Sequence, residues 1–302
     1  MSTLTAVRGG APVETPETPE PTPRRRRWVP YALLLPGLVW LAVFFLAPMA
    51  TLFSTSLQVG SIDEGYRPAF RIANYTEALS AFSEQFFRSF GYAAMATVLA
   101  LLVSYPLAYA IAFKAGRWKN VLLVLVIAPF FTSFLVRTLA WTAILGDQGL
   151  LLGQLKDIGL VSPDFRLLAR PFAVVLGLTY NFLPFMTLPL YASLERIDRR
   201  LLEAADDLYS SAFTTFRKVT FPLSLPGVVA GTLLTFIPAA GDYINQRLLG
   251  TPRQSMIGTV IDSQFLRVLD YPSAAALSFT LMVSIVVLVW FYVRRAGTEE
   301  LV

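Results

Sequence analysis

Two reactive side chains are missing altogether: the chain of 302 residues contains no cysteine and no histidine. Their absence excludes disulfides, thiolate and imidazole metal sites, Cys/His nucleophilic pairs and Ser-His-Asp triads. No metal site and no catalytic residue are therefore expected, and cysteine usage says nothing of redox compartment. Charge is scarce as well. Only 15% of residues are charged against 55% hydrophobic, where a soluble domain carries about 25% charged residues. The composition implies a membrane protein, and the net charge of +5 reads as a topology signal rather than a nucleic-acid footprint. A phosphate-binding loop is also missing, since the dipeptide Gly-Lys does not occur, so the chain cannot hydrolyse ATP by itself.

What the chain does have is long apolar runs. Six segments reach the roughly 20 residues that cross a bilayer: Tyr31 to Phe53, Phe90 to Phe113, Val121 to Leu145, Pro171 to Leu194, Val228 to Leu249 and Ser273 to Val293. The expected fold is all-α and polytopic, one six-helix transmembrane domain over residues 30–295. Most runs are broken by proline, at Pro36, Pro48, Pro106, Pro129, Pro184, Pro189 and Pro238, which lipid tolerates where neighbouring helices or a watery cavity satisfy the freed carbonyls. Residues 1–29 are rich in Pro, Thr and Glu and end in the basic run Arg24 to Arg27. They are expected to form a disordered tail at the membrane surface, too long and too acidic for a signal-peptide head. Residues 296–302 make a second short tail.

Lysine and arginine mark the cytoplasmic side. With both termini inside, the inner flanks hold fourteen of them and the longer outer loops nine. This places the charged stretch of about 195–227 in the cytoplasm. There Leu201, Ala205, Leu208, Ala212, Phe216 and Val219 make one apolar helical stripe, opposite Glu203, Asp206, Asp207, Arg217 and Lys218. The Ser210–Ser211 pair offers a cap between two short helices. Pro222 disfavours helix at Phe221, and Pro226–Gly227 marks where the next membrane helix begins. Such a unit either lies on the lipid surface or fits a groove on a soluble partner. On the outer side, Ile257, Val260, Ile261, Phe265, Val268 and Leu269 recur at helical spacing, an amphipathic helix that either anchors or docks a partner.

The stretch from Glu203 to Gly227 resembles the cytoplasmic EAA loop of ABC importer permeases. Glu203, Ala204 and Ala205 match the Glu-Ala-Ala triplet, and Val219, Phe221 and Pro222 fall in register after a nine-residue gap. Tyr209 stands where the family has glycine, whose left-handed freedom is thereby missing. Over most of the chain the sequence is similar to the polyamine (spermidine/putrescine) branch, specifically its B-type permease, through "PFFTSFLVRTLAWTAIL" and "FIPAAGDYINQRLLGTPRQ". The resemblance implies a type I importer permease in a bacterial cell membrane. It implies a heterodimer with a second permease, a cytosolic ATPase dimer carrying ATP and Mg, and an extracytoplasmic solute-binding protein. Glu203, Ala204, Ala205, Asp207, Tyr209, Pro222, Pro226 and Gly227 would then couple to the ATPase, with no cofactor on this chain.

Ionisable residues within spans are functional candidates. Arg137 lies in the third segment, four residues before Trp141, within reach of a cation–π contact, or it snorkels to the outer surface, or it anchors an acidic neighbour. Asp242 is the single carboxylate within these six segments. With Tyr243 it can offer charge and an aromatic face to an organic cation, or it is a helix-end aspartate or the partner of Arg137. Tyr180, Asn181 and Phe185 add polar and aromatic lining. Beside the polyamine importer stand an importer of another organic solute or an oxyanion, an ion-driven secondary transporter, and a membrane-embedded enzyme. The secondary transporter calls for inverted repeats that are not visible, and the enzyme lacks an acid/base pair.

Overall fold

The computed structural model describes residues 29–296, so the two expected tails lie outside the described residues, apart from Val29 and Ala296. In chain order the elements are α1 (Tyr31–Ser56), a small antiparallel pair β1 (Gln58–Val59) and β2 (Arg67–Pro68), and α2 (Ala73–Lys114). Then come α3 (Lys119–Ile127), α4 (Phe134–Leu145), α5 (Leu150–Asp157) and α6 (Pro171–Glu195). The short helix α7 (Arg199–Asp207) precedes α8 (Ala212–Ala240), α9 (Ile244–Leu249), α10 (Ile257–Ser263) and α11 (Tyr271–Ala296). The chain divides into two compact units, one up to Met49 and one from Ala50. The described part of the first is apolar helix with Pro36 inside it and a π turn at Ala42–Leu46. The second unit holds the packed bundle and every candidate site residue.

Five helices, α1, α2, α6, α8 and α11, are each long and apolar enough to cross a bilayer, and a bent pair, either a broken sixth span or a re-entrant loop, passes the same test when taken together. That pair corrects the expected continuous helix from Val121 to Leu145. Gly116–Phe131 and Phe134–Leu145 meet at 95°. Pro129 opens a tight 3₁₀ turn at Ala128–Phe131, and Thr132 (ψ 143°) and Ser133 (ψ 138°) are extended, so the helix must restart at Phe134. Helix α2 is far longer than the expected Phe90 to Phe113. Its 42 residues rise about 63 Å, twice a bilayer core, with a kink at Phe82.

The centre of the bundle is α2, α6 and α8 packed together. Along α2 the buried face reads Ser89, Ala93, Ala96, Ala100, Ser104 and Ala108, a helical stripe of small side chains that lets backbones approach. From α8, Gly227 and Gly231 allow the same close approach to α6. A Cβ on Gly227 would come within 2.7 Å of the Pro189 carbonyl, and one on Gly231 within 3.1 Å of the Met186 carbonyl. Pro226 and Gly227 therefore sit inside α8, not at its start, and the helix runs back to Ala212. Pro222 does not end the helix at Phe221. A proline has no N–H and its ring crowds the carbonyl four residues back. Here a π turn at Phe216–Thr220 absorbs the misfit, with the Phe221 N–H donating to the Phe216 carbonyl. At its other end α8 stops at Ala240, short of the expected Leu249.

Helix α10 is amphipathic as expected, with its apolar face turned into the bundle. Ile257 and Val260 are buried with Phe86 of α2 and Ala276 and Leu277 of α11. The Ile257 N–H donates to Ser89 Oγ at 2.7 Å. Only beyond Ser263, in the π turn Gln264–Val268, do Phe265, Leu266 and Val268 become exposed.

Candidate functional site

Between α8 and α9 the backbone breaks at Gly241–Tyr243, and Asp242 sits in this break, just past the end of the helical span rather than within it. Its Oδ1 accepts the Asn245 N–H at 2.8 Å. This is the i to i+3 geometry of a helix N-cap, which starts α9 and brings it back against α4 and α6. Two close approaches permit it. A Cβ on Gly258 of α10 would lie 2.9 Å from the Asp242 carbonyl, and one on Gly177 of α6 would lie 2.8 Å from Asn245 Oδ1.

The carboxylate is the end of a buried polar chain. Asn245 Nδ2 donates to Asp242 Oδ2 at 3.1 Å, and Asn181 Nδ2 donates to Asn245 Oδ1 at 3.0 Å and to Thr138 Oγ1 at 3.2 Å. Thr138 in turn donates to the Phe134 carbonyl at 3.0 Å. An ionised carboxylate only accepts, so it fixes which way each amide faces. Asn245 must present its NH₂ to Asp242, and Asn181 must present its NH₂ to Asn245. All four side chains are buried, and Asn181 Oδ1 is left without a partner among the described residues. The chain joins four elements: the turn after α8, the start of α9, the middle of α6 and the restarted helix α4. Thr138 and Asn245 were not singled out from sequence. The Asp-x-x-Asn spacing of a cap could have flagged Asn245, whereas nothing local marks Thr138.

Arg137 is also buried, at 8% exposure, but not as expected. Its guanidinium lies over Phe130 (5.2 Å) and Phe134 (5.6 Å), not over Trp141, whose ring instead meets Tyr180 edge-on at 5.3 Å. The 95° bend explains this, since it folds Phe130 back over α4. Arg137 does not pair with Asp242 either: the carboxylate is taken by Asn245, and Nε and Nη1 of Arg137 are buried without a partner among the described residues. The flanking rings continue into α6 through Phe130–Phe185 (4.9 Å) and Phe134–Phe182 (6.0 Å). Tyr243 is 41% exposed, so its ring is available rather than packed. The break thus brings together Asp242 and Asn181, while Arg137 stands in an aromatic sleeve of its own.

On the other side of the bundle, α7 and the first turn of α8 form the expected pair of short helices. Asp198 caps α7 through the Arg200 N–H at 3.0 Å, and Ser211 caps α8 through the Thr214 N–H at 3.3 Å. Tyr209 adopts φ +56°, the left-handed value a glycine would take. The Tyr209 N–H donates to the Asp206 carbonyl (2.9 Å) and Ser210 N–H to Ala205 (3.1 Å), the two bonds of a Schellman helix end. The turn is therefore made without glycine, at a backbone cost of about 1 kcal/mol or more. Leu208 (81%), Tyr209 (98%) and Phe213 (71%) project from it, exposed. Glu203, Ala204 and Asp207 are exposed too, Ala205, Pro222 and Pro226 are half-buried, and Gly227 is buried.

Apolar helices that break at a buried polar chain, joined on one side by a capped amphipathic unit, define a polytopic membrane protein. Residues 104–295 match the family described as binding-protein-dependent transport system inner membrane component. The spermidine/putrescine transport system permease protein PotB of Haemophilus influenzae is 36% identical over 88% of this chain and 90% of its own length. The inner membrane ABC transporter permease protein YdcU of Escherichia coli is 30% identical over 89% and 90%. In fold, the chain is similar to one in the crystal structure of a bacterial ABC transporter that imports the acidic polysaccharide alginate, with a TM-score of 0.65 at 19% identity over 91% of this chain and 97% of that one. The chain belongs to the family of binding-protein-dependent transport system inner membrane components: it is a multi-pass inner-membrane permease subunit with the type I ABC importer permease fold, not an enzyme.

Proposed function

We infer that this permease subunit moves polyamines such as spermidine and putrescine inward. The observation that carries the reading is the 36% identity to a spermidine/putrescine permease over 88% of the chain. The buried carboxylate fits that cargo: a cation crossing a low-dielectric constriction needs fixed negative charge or dipoles to offset several kcal/mol of desolvation. Asp242 supplies the charge, Asn181 Oδ1 an acceptor without a donor, and Tyr243 an aromatic face; Tyr180 and Trp141 line the same region. Arg137 favours a second reading, an oxyanion or carboxylated solute, because its two free donors call for an anion.

In this reading the chain forms a heterodimer with a second permease, receives its solute from an extracytoplasmic binding protein and draws its drive from a cytosolic ATPase dimer, where ATP and Mg bind. Glu203, Ala204, Ala205, Asp207 and Tyr209, with the exposed Leu208 and Phe213, are the surface that meets the ATPase. Gly227 contributes by packing α8 on α6. Both termini are cytoplasmic. The test is uptake by proteoliposomes holding the whole transporter. Labelled spermidine should accumulate with ATP and be displaced by putrescine. Uptake of a carboxylated solute but no polyamine would replace this reading with the second.

A further inference from the structure

The π turn at the start of α8 is held by one side chain from another helix. Tyr105 of α2 places its hydroxyl 2.7 Å from Ser224 Oγ. Its ring meets Phe216 edge-on at 5.5 Å and leans over Phe221 at 6.1 Å, and Phe216 and Phe221 are themselves 6.1 Å apart. Ser224 is fully buried and donates to the Phe221 carbonyl at 2.9 Å. Its single proton is therefore committed, so Tyr105 is the donor and Ser224 the acceptor. Phe216 opens the π turn and Phe221 follows it, so the clasp spans the segment where the helix departs from α winding. Such single π turns within α-helices are recurrent at functional sites.

The space beside the neighbouring helix is open. A cavity of about 580 Å³ lies between the end of α6, the start of α7 and α8, lined by Ser193, Asp198, Leu201, Leu223 and Ala230 among others. On the far side of α7 the chain is fastened differently. Lys119 pairs with Glu195 at the end of α6 and lies over the Tyr191 ring at 5.4 Å. The α7 unit thus follows an α6 end that an ion pair ties to α3, borders a cavity, and leads through a π turn into the rest of α8.

The geometry points to Tyr105 as a positioning residue for transport: it ties the π turn to α2, so that displacement of α7 moves the membrane helices instead of being absorbed by the turn. This rests on the proposed meeting of α7 with an ATPase, and extends it by naming the hinge and the side chain that stiffens it. Without the hydroxyl bond the turn flexes, α7 still docks, and ATP is hydrolysed without movement of the bundle.

The test uses the complete transporter with its solute-binding protein in proteoliposomes, comparing Tyr105→Phe, Ser224→Ala, the double variant and Tyr105→Leu. Assembly and basal ATP hydrolysis are expected to be unchanged in Tyr105→Phe, which keeps the rings. Solute imported per ATP hydrolysed should fall at least fivefold in each single variant, and no further in the double than in Ser224→Ala, because both remove the Tyr105–Ser224 bond and Ser224→Ala alone also removes the bond to the Phe221 carbonyl. Tyr105→Leu, which also removes the ring contacts, should be at least as uncoupled. A merely structural role would lower assembly and hydrolysis together and leave the ratio alone; that result overturns the proposal, as does wild-type coupling in Tyr105→Phe. If the wild-type transporter itself shows no hydrolysis stimulated by the binding protein, the ATPase-docking reading fails, and this one with it.

Discussion

Replacing Asp242 by asparagine separates the charge of this side chain from its geometry. Asparagine caps a helix as well as aspartate does, so the bond from the Asn245 N–H is kept. The second oxygen, however, becomes an NH₂ facing Asn245 Nδ2, 3.1 Å away in the native chain. A flip of the Asn245 amide relieves that clash and turns its NH₂ toward Asn181. The Asn181 amide then flips as well, which costs its bond to Thr138 Oγ1, whose proton goes to the Phe134 carbonyl, and puts its NH₂ where Oδ1 had no partner. The polar chain reverses direction at the cost of one bond and one stranded donor, so folded stability should fall by about 1–3 kcal/mol. Asp242→Ala is different. It strands the Asn245 N–H and Nδ2, at about 1–3 kcal/mol for each buried donor, and loses the cap. Both variants remove the negative charge, so both should slow polyamine uptake at least tenfold, which corresponds to about 1.4 kcal/mol in the barrier. The assay is labelled-spermidine uptake in proteoliposomes, run beside thermal unfolding of the purified complex. The two variants should lose transport alike, while Asp242→Ala should lose more of its unfolding temperature than Asp242→Asn. Adding Arg137→Gln to Asp242→Asn should restore nothing, since the two side chains are not paired. Near-normal uptake by Asp242→Asn would falsify the role given to the charge.

Two further outcomes are expected from the proposed orientation and from the turn after α7. With no native cysteine to confuse the signal, a cysteine at Ser210 should be labelled by an impermeant reagent only from the cytoplasm and one at Ser263 only from outside; the reverse would invert the orientation and detach α7 from any cytosolic partner. Tyr209→Gly should relieve the φ +56° strain and raise the unfolding temperature by the equivalent of about 1 kcal/mol; a drop in stability would mean that the exposed ring, not the backbone, decides that position.

The residues alone were enough for the class of protein because that conclusion depends on quantities summed along the chain. A deficit of charge, runs of about 20 apolar residues and no cysteine or histidine survive any detail of packing. The two short capped helices around Ser211 were equally legible, because a cap is a local hydrogen bond between near neighbours. Proline positions were visible but not their consequences. Pro129 bends an apolar run through 95°, while Pro222 and Pro226 are carried inside one continuous helix. The difference lies in the neighbours. A π turn and contact with α6 accommodate the latter pair, while after Pro129 the chain runs extended through Thr132 and Ser133 before α4 begins. Asp242 was picked out as a lone carboxylate, yet its partner had to come from the fold: Arg137 was the obvious choice by charge, and Asn245 holds it instead. Thr138, Asn181 and Asn245 lie on three separate elements and meet only because Gly177 and Gly258 let α9 and α10 come close. Composition and period fix what must be buried in lipid, but which polar groups face one another there is set by the distances between helices, which depend on small residues far apart in sequence.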